Sequence, residues 1–257
     1  MRTIYLISLT FLLICGVINA QGSAGESAKY EYRFLIDMPT AGILEKGNVG
    51  ITTDILPLGV LITRLEVGVF NNISFGISYG GSNIIGTGNP KWYKWPGINF
   101  RARIINETTL MPAITLGFDS QGKGEYFDEF GRYTIKSPGF FAAGSKNFEL
   151  MGYLSFHGTI NYSLEHKDGD GFINLVGGVE KTLGPTFSIL AEYDFGFNDN
   201  SSEVFGKGTG YLNTAVKWSV GNGFTVGLEL RDILQNKKWA PHAADRAITM
   251  EFIQSIF

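Results

Sequence analysis

The chain has 257 residues, of which 34 are glycine, 14% are aromatic and 18% are charged, a composition that suits one β domain. Its net charge of −3 argues against nucleic acid as a partner, because nucleic-acid-binding domains present strongly basic surfaces. A single cysteine, Cys15, excludes an intramolecular disulfide framework.

The first twenty residues have the organisation of a secretory signal peptide, so residues 1–20 are predicted to be removed on export. Arg2 supplies the positive start, Ile4–Val17 the apolar run and Ala20 the small residue before cleavage. Cys15 lies inside this segment, after a residue too large for a lipoprotein signal. No later segment reaches about 18 consecutive apolar residues, so no membrane-spanning helix is predicted.

Residues 21–46 precede the first predicted strand and are expected on the periplasmic side. The stretch from Gln21 to Lys29 is small and polar, which is typical of a disordered segment. The stretch from Tyr30 to Leu44 is richer in apolar residues and could enter the barrel as a plug or cover its periplasmic end. A plain periplasmic tail is the alternative.

From residue 47 to residue 257, apolar and polar residues alternate with period two, which indicates β-strands. In the clearest run, Phe224, Val226 and Leu228 share one face while Glu229 and Arg231 share the other. Twelve strands are predicted, at Val49–Leu56, Val60–Phe70, Ile73–Gly81, Gly97–Ile105, Leu110–Asp119, Gly139–Asn147, Met151–Leu164, Phe172–Lys181, Thr186–Asn198, Thr209–Val220, Phe224–Ile233 and Ala247–Ile256.

The connections alternate between tight turns and long loops, which is typical of an outer-membrane barrel with short periplasmic turns. The long loops are predicted at Ser82–Pro96, Ser120–Pro138, Glu165–Gly171, Asp199–Gly208 and Leu234–Arg246, and only Pro57–Gly59 is short where a long loop is expected. A Greek-key sandwich would need long connections between its sheets. The sequence therefore predicts an all-β fold, a single antiparallel transmembrane β-barrel of about 12 strands with meander topology, in the outer membrane of a Gram-negative-type bacterium.

Charged residues on the polar faces are predicted to line the lumen. A twelve-stranded barrel is wider than its side chains can fill, so water or a plug is required inside. The arginines could select an acidic sugar, or pairs of opposite charge could close the interior, and the mixture of signs favours the second interpretation. The predicted lining consists of Arg64, Glu66, Arg101, Arg103, Asp119, Glu180, Glu192, Asp194, Lys217, Glu229, Arg231 and Glu251.

Two loop patterns are candidates for ligand contact. Trp92, Tyr93 and Trp95 in the first long loop could stack on sugars or anchor the barrel at the membrane interface, and the anchor is favoured. Residues 168–171 read Asp-Gly-Asp-Gly, which resembles part of a calcium loop. They lack the further ligands and the closing glutamate, so a hairpin tip is favoured and no metal site is predicted.

One strand carries a nucleophile and a base. Ser155 and His157 share a face, with Asn161 further along it, and this spacing could place a hydroxyl beside an imidazole. The predicted phase points these residues to the lumen, whereas an enzyme acting on membrane lipid needs a site open to lipid. The sequence therefore favours a protein that is not an enzyme and needs no cofactor.

Between Asp37 and Lys146, five short stretches carry a resemblance to a known family, and the last three form a proline-led strand that ends on an acidic residue, then a glycine, then a strand that closes on Ser-Lys. They are Asp37–Gly42, Ile77–Gly81, Pro112–Asp119, Gly122 and Phe141–Lys146. This pattern resembles YjbH-type outer-membrane proteins associated with exopolysaccharide production. The resemblance implies an outer-membrane barrel with a role around polysaccharide export, and it supplies no catalytic residues.

The expected function is exopolysaccharide or envelope-related transport through an outer-membrane barrel. A sealed structural barrel without transport and a lipid-modifying barrel enzyme are the alternatives. Expected partners are outer-membrane lipid, a polysaccharide or other polar solute, and the barrel-assembly machinery. That machinery commonly reads a terminal aromatic, and here Phe257 is out of phase with the outward residues Ile248, Met250 and Phe252.

Overall fold

The computed structural model describes residues 24–200, 205–238 and 244–256, so the predicted signal peptide with Cys15 and the terminal Phe257 lie outside the described residues. Within them, no helix is long and apolar enough to cross a bilayer. The strands are β1 (Asn48–Leu56), β2 (Val60–Phe70), β3 (Ile73–Ser82), β4 (Lys91–Trp92), β5 (Gly97–Ile105), β6 (Ala113–Asp119), β7 (Lys123–Phe127), β8 (Arg132–Ile135), β9 (Gly139–Glu149), β10 (Tyr153–Tyr162), β11 (Asn174–Leu183), β12 (Phe187–Asp194), β13 (Tyr211–Gly221), β14 (Phe224–Arg231) and β15 (Asp245–Ser255).

Twelve of these strands close into one antiparallel barrel. Each pairs with the barrel strands before and after it in the chain, and β1 completes the ring by pairing with both β2 and β15. The closing register runs from Asn48 opposite Ser255 to Ile55 opposite Ile248. The predicted twelve-stranded antiparallel meander is therefore confirmed.

Three short strands lie in segments predicted as loops. β4 extends the edge of β3 within Ser82–Pro96, and β7 pairs with β8 as a separate hairpin within Ser120–Pro138. Strands of two to five residues are too short to show a period-two pattern. Several predicted boundaries also differ from the structure, most of all at β6, which begins at Ala113 and not at Leu110, and at β12, which ends at Asp194 and not at Asn198.

The two faces of the barrel wall have the reverse of the polarity found in a soluble protein. In β14, Thr225, Glu229 and Arg231 are buried, whereas Leu228 is 60% exposed. Large exposed hydrophobic side chains recur in the strands around the ring, and buried polar ones face inward. The outer surface is thus an apolar belt around a polar interior, as expected for a wall between lipid and a lumen.

The connection between β1 and β2 is the one short connection at the long-loop end of the barrel, and it supports the neighbouring loop through backbone hydrogen bonds. Leu58 adopts a φ of 62° within the turn Pro57–Gly59. The N–H groups of Asn83 and Ile84 donate to the carbonyls of Leu58 (3.1 Å) and Gly59 (2.9 Å). A Cβ on Gly59 would come within 2.0 Å of a loop carbonyl oxygen, so this close approach requires glycine.

The barrel topology predicts which loops face the cell exterior. A cysteine at Asp128, exposed near the tip of the β7–β8 hairpin, should react with a membrane-impermeant maleimide on intact cells. A cysteine at Asn222, in the short turn between β13 and β14, should react only after the outer membrane is permeabilised. Because Cys15 is the only native cysteine and lies in the predicted signal peptide, each variant carries one thiol. Equal labelling of both positions on intact cells would contradict the assigned orientation.

Candidate functional site in the barrel lumen

The charged residues predicted for the lumen lie on the inner face of the wall. Arg101 and Asp119 are at most 1% exposed, and Arg103 and Glu251 contact the N-terminal segment. Asp54 belongs to the same group and pairs with Arg64 at 2.6 Å. The inward set comprises Asp54, Arg64, Glu66, Arg101, Arg103, Asp119, Glu180, Glu192, Asp194, Lys217, Glu229, Arg231 and Glu251.

Residues 24–46, which we call the plug segment, run through the lumen. At its start the Glu26 N–H donates to the Gly184 carbonyl (3.1 Å), in the short turn between β11 and β12. Just after its end the Gly47 N–H donates to the Gly68 carbonyl (3.1 Å), beside the short turn between β2 and β3. The segment therefore enters and leaves at the same, short-turn end of the barrel.

Inside the lumen the plug segment folds back on itself as a narrow hairpin. The Leu35 N–H donates to the Met38 carbonyl and the Thr40 N–H to the Arg33 carbonyl, both at 3.0 Å. The stretch Asp37–Gly42, which carries part of the YjbH-type resemblance, forms the returning limb. The tip of this hairpin lies at residues 36 and 37, on the side of the long loops.

Two arginine–carboxylate clusters hold the limbs of the hairpin to the wall. Arg33 of the plug segment pairs with Glu66 (Nε to Oε2, 3.0 Å) and also with Glu251. Arg103 of β5 pairs through both terminal nitrogens with Glu31 of the plug segment, at 3.0 Å between Nη1 and Oε1. Arg33 is 3% exposed, so its two partners are neutralised out of contact with bulk water.

The tip of the hairpin is fixed by charges from both the wall and an outer loop. The Asp37 carboxylate contacts Lys123 of β7 at 2.9 Å and Arg231 of β14 at 3.2 Å. The Glu192 carboxylate of β12 accepts the backbone N–H groups of residues 36–38 at 2.9 to 3.1 Å. Because Lys123 belongs to the β7–β8 hairpin, this network joins the plug segment to the loop that covers the outer end.

A small apolar cluster completes the filling of the lumen. The Phe34 ring lies 4.7 Å from the Arg101 guanidinium and 5.0 Å from that of Arg64, which are cation–π distances. Buried apolar side chains of the plug segment pack on three inward residues of β11, β12 and β13. The cluster consists of Ala24, Tyr32, Leu35, Ile36, Met38, Val176, Leu190 and Ala215.

Little free volume remains in the lumen. A cavity of about 60 Å³ lies at the outer end, between Asp37, Arg132 and Tyr211. Two cavities of about 30 Å³ each lie deeper, one beside Arg33 and one beside His157. Voids of this size hold a few water molecules each, so the described residues close the lumen.

The Asp-Gly-Asp-Gly stretch lies beside two buried basic side chains at the outer rim. Arg132, fully buried, contacts Asp168 and Asp199 at 2.6 Å each, and Lys136 contacts Asp168 at 2.8 Å. Burial lowers the pKa of Lys136. Burial tends to raise the pKa of Asp168, but hydrogen bonds from Lys136 and Arg132 outweigh it and lower that pKa. Side chains thus supply the positive charge that a calcium ion would bring.

The three loop aromatics divide between surface and core. Trp92 and Trp95 are 58% and 71% exposed, and Trp92 stacks on Tyr79 with ring centroids 5.8 Å apart. Tyr93 is only 4% exposed and packs edge-on against Tyr133 at 4.9 Å. Neither predicted role is open to Tyr93, because its ring is buried against the β7–β8 hairpin.

The predicted nucleophile and base do not contact each other. The Ser155 hydroxyl donates to the Asn147 side chain, and Asn161 donates to the Pro138 carbonyl at 2.9 Å. His157 Nδ1 instead shares a hydrogen bond with Ser145 at 2.8 Å. This pair lines a cavity of about 30 Å³ inside the closed lumen, which has no room for a lipid substrate.

Three solved structures, two of them porins, resemble this chain. The KdgM porin matches with a TM-score of 0.50 and 11% identity over 80% of this chain and 98% of its own. The two proteins share the fold of a closed antiparallel β-barrel. Omp33 of Acinetobacter baumannii matches with a TM-score of 0.45, 8% identity, and coverage of 80% and 96%. The NanC porin matches with a TM-score of 0.44, 9% identity, and coverage of 81% and 100%.

The likeness to the KdgM porin shows the fold alone, since the identity is 11%. No family model and no curated protein matches the sequence. The YjbH-type resemblance therefore stays a prediction.

Several residues of the site were absent from the sequence-based set. The plug segment has no period-two alternation, so its sequence does not indicate which side chains face the lumen. This applies to Glu31, Arg33 and Asp37. Lys123 lies in a predicted loop. Asp54 could have been found, because it shares its phase with Gly50 and Thr52 in β1, although the alternation there is weak.

Proposed function

We propose that this protein is an outer-membrane barrel that its own plug segment keeps closed, and that it serves exopolysaccharide or envelope-related transport. The apolar outer belt supports a lipid environment. The YjbH-type resemblance supports the polysaccharide role. The observation that carries the proposal is the polar character of the contacts between the plug segment and the wall.

Polar contacts suit a plug that can be withdrawn. The wall residues Arg101 and Thr115 donate to the Thr40 and Ala41 carbonyls at 3.1 and 2.6 Å. A neutral hydrogen bond such as that of Thr115 contributes only about 0.5–1.5 kcal/mol, and one from a charged donor such as Arg101 about 1.5–3 kcal/mol, because water replaces the lost partner on release. The apolar part of the contact comes from the cluster around Leu35 and from the buried side chains of Ala41, Ile43 and Leu44. The wall that is left behind is polar and can hydrate.

A sealed structural barrel without transport is the second candidate. The small cavities and the buried pairs around Arg33 favour it, because breaking a buried ion pair leaves a charge without compensation. The two candidates differ in whether the plug segment ever leaves the lumen.

The charges of the wall limit what an opened barrel would pass. Inward carboxylates outnumber inward basic groups: Asp54, Glu66, Asp119, Glu180, Glu192, Asp194, Glu229 and Glu251 face Arg64, Arg101, Arg103, Lys217 and Arg231. An acidic wall attracts cations and repels anions. This balance supports neutral or cationic solutes over selection of acidic sugars by the arginines.

A disulfide between the plug segment and the wall tests the proposal. The Ala41 N–H donates to the Ser145 hydroxyl at 3.0 Å, which brings cysteines at these positions within reach of each other. The oxidised A41C/S145C protein should give no conductance in planar bilayers under voltage. After reduction it should open intermittently and show a cation-selective reversal potential in a salt gradient.

The single variant Ser145→Cys is the control, since it loses the same hydroxyl but cannot form the crosslink. It should conduct under both redox conditions. Complete absence of conductance in the reduced double variant, the control and the parent protein would instead establish the sealed barrel.

A further inference from the structure

A cavity of about 240 Å³ lies outside the lumen, at the long-loop end of the barrel. Its walls come from the loop before β5, from the β7–β8 hairpin and from the segment that follows β10. It is larger than the voids inside the lumen. Ring surfaces and two opposite charges line it, contributed by Trp95, Phe118, Tyr126, Tyr133, Lys94 and Glu165.

One wall is an open indole. Trp95 is 71% exposed, and the Lys94 ammonium lies 5.9 Å from its ring centroid. Another part of the wall is held in place by aromatic contacts. Tyr126 packs edge-on against Tyr133 at 4.9 Å, and Tyr133 packs in the same way on the buried Tyr93. The cavity is therefore lined by an exposed indole ring and by a pair of tyrosine rings that pack on each other.

The carboxylate in the cavity is oriented by the backbone. Glu165 accepts the N–H groups of Tyr133 and Ser137, each at 2.9 Å and each on a different oxygen. One accepted bond per oxygen leaves lone pairs that can accept hydroxyl groups. Ser120 and Ser137 also line the cavity and carry hydroxyls.

We propose that this cavity binds one saccharide unit at the outer surface. The C–H face of a sugar ring carries partial positive charge and stacks on the negative face of an indole. Its hydroxyls can at the same time bond the Glu165 carboxylate and the Lys94 ammonium. An apolar ligand would leave both charges unpaired, and a small anion would be repelled by Glu165.

The saccharide could belong to a free or polymeric oligosaccharide or to the headgroup of an outer-leaflet glycolipid. Both present the same sugar face to Trp95. The cavity lies outside the lumen, so binding here does not rest on the proposed transport. A barrel that never conducts can still bind sugar at this site.

The test compares two exposed tryptophans of the same loop. Trp95 lines the cavity, whereas Trp92 stacks on Tyr79 and does not line it. Refolded mature protein and the variants Trp95→Ala and Trp92→Ala are titrated in detergent with a panel of neutral and uronic tetrasaccharides. In a second arm, the same proteins in phosphatidylethanolamine nanodiscs, with and without lipopolysaccharide, are assayed for retained lipopolysaccharide.

Binding in at least one arm should weaken about tenfold in Trp95→Ala and stay unchanged in Trp92→Ala, since a ring contact is worth up to about one tenfold step. Tyr126→Phe, which keeps the ring wall, should bind nearly as the parent does. Loss confined to the tetrasaccharide arm identifies a free saccharide, and loss confined to the nanodisc arm a glycolipid. Equal loss in both tryptophan variants would identify simple interface anchors and overturn the site, as would no binding in either arm.

Discussion

Replacing Arg33 with methionine is expected to destabilise the folded protein by about 3–5 kcal/mol, the usual cost of removing one partner from a buried charge pair. Arg33 is 3% exposed and pairs with both Glu66 and Glu251, so methionine would leave the buried Glu66 and the partly buried Glu251 without their shared partner. The plug segment should become accessible to protease at Arg33–Gly42 while the barrel remains resistant. The measurement is thermal unfolding in detergent, followed by circular dichroism, alongside limited proteolysis.

A triple variant separates lost charge compensation from lost packing. Combining Arg33→Met with Glu66→Gln and Glu251→Gln removes the unpaired charges and keeps the shapes of the side chains. The triple variant should regain most of the stability that Arg33→Met loses, because neutral amides are far less costly to bury than carboxylates. If the triple variant is as unstable as the single one, the ion-pair account of the plug contact is wrong.

Replacing Leu228 with arginine is expected to prevent correct insertion of most of the protein. Leu228 is 60% exposed near the middle of β14, on the face that meets lipid. A cation at mid-membrane depth on that face costs about 2–4 kcal/mol. The measurement is the fraction of protein in the outer membrane that keeps a folded, heat-modifiable band on a gel.

Leu228→Phe is the matched control. It enlarges the same exposed side chain without adding charge, and it should insert like the parent protein. Normal insertion of the arginine variant would show that this face of β14 does not contact lipid. In that case the polarity of the whole wall would have to be reassigned.

The sequence by itself determined the barrel and the direction of its side chains. Period-two alternation is a local property of each strand, so residues such as Leu228 and Glu229 could be assigned to opposite faces before any strand pairing was known. The alternation of turn and loop lengths then favoured a closed meander over a sandwich. This assignment fails where the alternation is weak. In β1 the pattern is weak, and Asp54 was therefore not predicted to face the lumen.

Only the tertiary structure decided what fills the barrel. Glu31, Arg33 and Asp37 lie in a segment whose composition suits a periplasmic tail as well as a plug. Their partners lie far away along the chain, and a charge on one strand carries no local signal of which distant charge will meet it. The same limit applies to Tyr93, whose burial depends on a hairpin that folds across it. Long-range pairing of this kind is fixed by the closure of the barrel and not by any local pattern.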